Sequence, residues 1–132
     1  MCIRDRAREA QTDRVVRAME NRHVSILGHP TGRLIGAREP YDIDMDRVIS
    51  AAHDLGCYLE INAEPDRLDL NDIHIHAAKS KGVKVAISTD AHSVNAFQYM
   101  RFGIDQARRG WLTADDVINT RSLADLRKLL QR

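Results

Sequence analysis

The chain has 132 residues, enough for one small domain and too few for two. Charged residues make up 30% and hydrophobic residues 43%, which excludes a disordered chain. A formal net charge of +1 tells against a free-standing nucleic-acid-binding module, which would carry a strong basic field, but not against a site that holds phosphates through metal ions. Cys2 and Cys57 stand far apart outside any CxxC pattern, which points to a reducing compartment and no disulfide framework. No apolar run approaches a membrane span, and MCIRDRAREA has no apolar h-region, so a cytoplasmic protein is the simplest reading. Residues 1–6, MCIRDR, fit no element that follows and read as an artefactual or foreign leader; residues 7–132 carry the fold.

TDRVVRAMEN predicts a helix from Thr12 to about Asn21, with Thr12 as N-cap and Val15, Val16 and Met19 on one face. His23 to Gly28 reads as a buried strand closed by HPTG, and Gly32 and Gly36 keep the chain loop-like as far as Tyr41. Asp44 is placed to cap a helix bearing Met45, Val48, Ile49 and Ala52, which Gly56 ends. Cys57 to Ala63 is the second strand. Asn71 or Asp72 caps a helix running to Lys81, with Gly82 as its stop, and Val83 to Ser88 is the third strand. Ser93 is placed to cap a longer helix through Phe97, Met100, Ile104 and Ala107, ending near Gly110. Thr113 with Asp116 and Ser122 with Asp125 form capping-box patterns, and Leu123, Leu126, Leu129 and Leu130 give the last helix an apolar face. Strands alternating with helices imply an α/β fold with parallel strands and right-handed crossovers.

In parallel α/β architectures functional groups collect at the C-terminal ends of the strands. Each predicted strand supplies such groups: His29 after the first, Glu60 and Asn62 in the second, Asp90 and His92 after the third. Three strand ends offering polar groups to one rim imply a single site. On an extended segment Asp90 and His92 project to the same side and can converge on one ion. A carboxylate with an imidazole suits Zn²⁺, Mn²⁺ or Fe²⁺ better than Ca²⁺; the competing reading is an Asp that caps the next helix beside a hydrogen-bonded His.

His29 ends its strand in GHPTGR, where Pro30 fixes the exit and Gly32 lets the backbone approach a ligand; otherwise it is a loop His bonded to a carbonyl. Arg33 is a candidate for a bidentate phosphate contact, or else a solvated Arg. Glu60 and Asn62 face one way, and Glu60, an acid within an apolar strand, needs a partner. Orienting a ligating His suits it better than direct coordination. His74 and His76 lie two apart on a helix, hence on nearly opposite faces, and read as structural. His23 and His53 lie away from the rim. Neither Cys has a placed His, and there is no GxSxG, GxGxxG or Walker A loop, which leaves metal-assisted hydrolysis.

GHPTGRLIGAREPY, LEINAEPDRLDLND, AISTDAHS and RFGIDQARRGWLTADDVINT resemble, in that order, the C-terminal stretch of the PHP domain of bacterial and archaeal family X DNA polymerases, from about Thr12 to the chain's end. The resemblance implies a distorted (β/α)₇ barrel, of which residues 7–132 would be a part with about three parallel strands. It implies a multinuclear metal site with His29, Asp90 and His92 as ligands, Mn²⁺ foremost and Zn²⁺ or Mg²⁺ as alternatives. It further implies a 3′–5′ exonuclease acting on DNA 3′ ends in repair, with a polymerase domain and the N-terminal half of the barrel in cis. The family's N-terminal HxH, a further His and a Glu have no counterpart here, so weak metal binding and little hydrolysis are expected of the chain alone. A stand-alone PHP phosphatase of the histidinol-phosphatase type and a non-catalytic PHP scaffold are the other readings.

Overall fold

The structure is a computed structural model that describes residues 7–131. The expected leader, with Cys2, lies outside the described residues. The described elements are helices α1 (Arg8–Glu20), α2 (Met45–Leu55), α3 (Asp72–Ser80), α4 (Met100–Arg109) and α5 (Leu123–Leu129), with strands β1 (Ile26–Leu27), β2 (Tyr58–Asn62) and β3 (Val85–Ser88). The strands form one open parallel sheet in the order β1-β2-β3, with Ile26 opposite Tyr58 and Leu59 opposite Val85. The expected α/β alternation of three parallel strands with helices is therefore present. No helix among the described residues is long and apolar enough to cross a membrane.

Local chemistry explains the crossover helices. The Asp44 carboxylate accepts the Arg47 N–H at 3.1 Å, and Gly56, at φ 65°, returns its N–H to the last turn of α2. Between these ends Val48, Ile49 and Ala52 are buried against β2 and α3. Asn71 caps α3 in the same way, accepting the His74 N–H at 2.9 Å. The central strand buries Leu59 and Ile61, which share one face, completely, while Tyr58 and Glu60 on the other face are partly buried.

Several expectations are corrected. Helix α1 begins at Arg8, with Ala7 at its N-cap. Thr12 lies inside the helix, donating its hydroxyl to the Arg8 carbonyl at 2.7 Å and accepting the Asp44 N–H at 3.0 Å, so it ties α1 to the start of α2. Strand β1 is two residues long because the chain passes Gly28, beside the Glu60 carboxylate, and enters the left-handed region at His29. Ser93 makes no side-chain cap, and a 3₁₀ segment, Val94–Tyr99, precedes α4. The Thr113–Asp116 capping box forms, but on a 3₁₀ turn, while Ser122 caps α5 by accepting the Asp125 N–H. Leu123 is exposed and no residue of α5 is fully buried; its last carbonyls instead accept hydroxyl groups from Ser25 and Tyr58.

Helix α4 buries Gly103, Gln106 and Ala107 rather than Phe97 and Ile104. Gly103 sets that face, because a Cβ there would stand 2.5 Å from Ile87 Cγ2 and 2.9 Å from Ala63 Cβ. Gly103→Ala is expected to lower stability by about 1–3 kcal/mol through overpacking, read as a reduced urea midpoint at unchanged slope. Along the outer edge of β3, Asn119 stands in for a strand: its amide donates to the Ile87 carbonyl and accepts the Ile87 N–H, both at 2.8 Å.

Candidate functional site at the strand ends

The rim residues singled out in the sequence meet at the C-terminal ends of the three strands. The Glu60 carboxylate accepts the backbone N–H of His29 at 2.6 Å and the Ser88 hydroxyl at 2.5 Å, which stitches β2 to its two neighbours. Glu60 Oε2 lies 3.8 Å from His29 Nδ1, and His29 Nε2 lies 3.7 Å from Asp90 Oδ2. Asn62, fully buried, sits between them: its Nδ2 is 3.1 Å from Asp90 Oδ2, 3.3 Å from His29 Nδ1 and 3.5 Å from Glu60 Oε1. Its amide oxygen accepts the Glu64 N–H at 3.0 Å, so the NH₂ group is turned into the site.

His92 stands at the outer side of the group, with Nδ1 4.0 Å from Asp90 Oδ1 and 2.6 Å from the Asp90 carbonyl. A carbonyl only accepts, so the proton of this bond sits on Nδ1, and Nε2 is the ring nitrogen left for another partner. His29 and Asp90 both have positive φ, 46° and 52°. These are residue types that tolerate the left-handed region, and it turns both side chains off the end of the sheet.

Among the described residues no three His, Cys, Asp or Glu side chains are drawn in closely enough to close around one ion. The group is a partial donor set of two imidazoles and a carboxylate, backed by Glu60 and Asn62. Its mixed nitrogen and oxygen chemistry fits a divalent transition ion.

The loop beneath the site is held by residues that the sequence reading did not single out. Asp69, fully buried, accepts the Thr31 N–H at 3.1 Å, the Thr31 hydroxyl at 2.8 Å and the Gly32 N–H at 3.0 Å. Burial pushes its carboxyl above the ordinary carboxylate range, against these three bonds and the nearby Arg33 guanidinium. Arg33 itself donates from Nε to the Arg67 carbonyl at 2.7 Å and from an Nη to the Leu68 carbonyl. Arg67 Nε lies 3.5 Å from Asp90 Oδ2. A signal for Asp69 was available, since an acid flanked by leucines in RLDL has to be paired once buried. Arg67 and Ser88 left no comparable mark.

The other histidines lie elsewhere. His74 and His76 are both on α3; burial pushes His74 below the ordinary range, and His76 packs edge-on against Trp111. His53 pairs with Asp54 at 3.0 Å on the surface, and His23 is exposed.

No family model matches the chain. The chain is 31% identical over 120 residues to a "probable phosphatase" of Thermoanaerobacter sp. (strain X514), covering 85% of the chain and 46% of that protein. A "probable phosphatase" of Clostridium acetobutylicum is 35% identical over 98 residues, 70% of the chain and 38% of that protein. The particular likeness is stronger: over 119 residues, 90% of the chain, it is 44% identical to the DNA polymerase/3′-5′ exonuclease PolX of Bacillus subtilis (strain 168). The expected resemblance is thus borne out, and the chain spans 21% of the length of PolX and under half that of the phosphatases.

Proposed function

We propose that this chain is part of a divalent-metal-dependent phosphoesterase, the PHP portion of a family X DNA polymerase that removes nucleotides from DNA 3′ ends in repair. The observation that carries the reading is the meeting of His29, Glu60, Asn62 and Asp90, from three separate strand ends, within hydrogen-bonding or ion-pairing range. His29, Asp90 and His92 would hold the metal, with Mn²⁺ favoured and Zn²⁺ or Mg²⁺ as alternatives. A metal bound there supplies Lewis-acid neutralisation of charge on phosphoryl oxygens. Glu60 holds the His29 backbone in its left-handed turn. Asn62 touches both the imidazole and the Asp90 carboxylate with its buried NH₂ group and holds them beside each other, as outer partners of metal ligands do. The polymerase domain and the remaining barrel strands would be supplied in cis.

The test is Mn²⁺-dependent 3′-exonuclease activity and metal content of the intact protein that carries this chain, beside its Asp90→Ala/His92→Ala form. A fall of about 100-fold or more with an unchanged melting curve is expected. Unchanged activity, or bound metal retained in full, would move these residues to a structural role in a non-catalytic scaffold. The likeness to "probable phosphatases" sustains a second reading, a phosphatase for small phosphomonoesters. Preference for such esters over a DNA 3′ end would favour it.

A further inference from the structure

We infer that Arg67 is the residue that grips the substrate's phosphate, exchanging the Asp90 carboxylate for a phosphoryl group. The inference rests on the phosphoesterase reading above and assigns it a phosphate-binding side chain.

Three observations carry it. First, Arg67 points into the site while its backbone is pinned from both directions: its N–H donates to the Glu64 carbonyl at 2.8 Å and its carbonyl accepts Arg33 Nε at 2.7 Å. The neighbouring Asp66 carbonyl accepts the Ile35 N–H at 2.7 Å, which anchors the same loop to the segment after HPTGR. These bonds fix the point from which the side chain leaves the loop, so the guanidinium starts from a defined position beside Asp90.

Second, its attachment to the site is loose. The Nε–Oδ2 separation of 3.5 Å is well beyond a charge-assisted hydrogen bond, and among the described residues no hydrogen bond is found for either Nη. The side chain is only 23% exposed, so it is not a solvated surface Arg. A half-buried guanidinium with its fork unfilled matches the two oxygens that a phosphate presents. Third, the alternative cation is committed elsewhere. The Arg33 guanidinium is occupied by the Arg67 and Leu68 carbonyls and serves the loop that carries Arg67.

The pairing with Asp90 also makes a prediction independent of catalysis. A cation entering beside Asp90 competes with Arg67, so removing the guanidinium should help the metal and hurt the phosphate.

Calorimetric titrations of the full chain, with Mn²⁺ alone and with inorganic phosphate in the presence and absence of Mn²⁺, separate these effects. Arg67→Ala is expected to weaken phosphate binding by about tenfold or more, and to bind Mn²⁺ at least as tightly as the parent. Arg67→Lys should fall between, keeping the charge and losing the fork. Arg67→Met, which preserves the packed stem, guards against loss of fold, with far-ultraviolet circular dichroism as the control. Phosphate affinity unchanged in both Arg67→Ala and Arg67→Met would overturn the assignment. So would a parallel loss of Mn²⁺ affinity, because Arg67 would then merely orient Asp90. Absence of Mn²⁺ binding in the parent chain would count against the metal-dependent reading alone. The metal-free titration still decides on Arg67 in that case: Arg67-dependent binding upholds the assignment, and none sinks it.

Discussion

Asp69→Ala is expected to destabilise the chain by about 3–5 kcal/mol, whereas Asp69→Asn should stay within about 1 kcal/mol of the parent at neutral pH. The alanine leaves the Thr31 N–H, the Thr31 hydroxyl and the Gly32 N–H without their acceptor in a fully buried place. The asparagine keeps one oxygen for the two backbone donors and offers an NH₂ to the Thr31 hydroxyl, which rotates to accept it. The same group has a pH signature. Burial raises its folded-state pKa above the ordinary 3.8, so the fold binds the proton more tightly than the unfolded chain does. The stabilisation it contributes is complete below 3.8 and is lost as pH rises through the folded-state value. Urea midpoints across mildly acidic pH should show the parent gaining on Asp69→Asn as pH falls. An alanine variant as stable as the parent, or parallel pH profiles for parent and asparagine forms, would remove Asp69 from this role.

Asn62→Asp should cost the metal-free chain about 3–5 kcal/mol and make its melting strongly metal-dependent. The change removes an NH₂ that lies among two carboxylates and an imidazole and puts a third carboxylate, itself fully buried, 3.1 Å from Asp90 and 3.5 Å from Glu60. A cation bound by the folded state offsets part of that repulsion, by about 2.7 kcal/mol at a hundred times its dissociation constant. Melting in EDTA and in Mn²⁺ measures it: the variant should recover far more on metal addition than the parent does. Equal destabilisation in both conditions would mean that no cation settles among these carboxylates.

The fold was legible where local chemistry decides. Asp44, Gly56 and Asn71 act as the caps and stop that their residue types predict, and the alternation of strand and helix needed no tertiary information. It was illegible where a distant neighbour decides. Thr12 looks like a cap in isolation and becomes a buried bridge because the start of α2 lies against it. The buried face of α4 follows from the one residue without a side chain, a position that hydrophobic periodicity scores as empty. In the site, His29, Glu60, Asn62 and Asp90 could be found because strand ends are where such groups gather. Arg67 could not, since its partner Asp90 is remote in sequence, and Asp69 was legible only as an acid among leucines that needs a partner, not as the acceptor for Thr31 and Gly32.

The left-handed backbone at His29 and Asp90 sets two demands against each other. Glycine would relieve roughly 1 kcal/mol or more at each position and would erase the imidazole and the carboxylate with it. A screen for heat tolerance that ignores activity should therefore drift toward glycine at these two places. Survivors of such a screen would be better folded and chemically silent, and their arrival at those positions would mark where selection for function had been holding stability down.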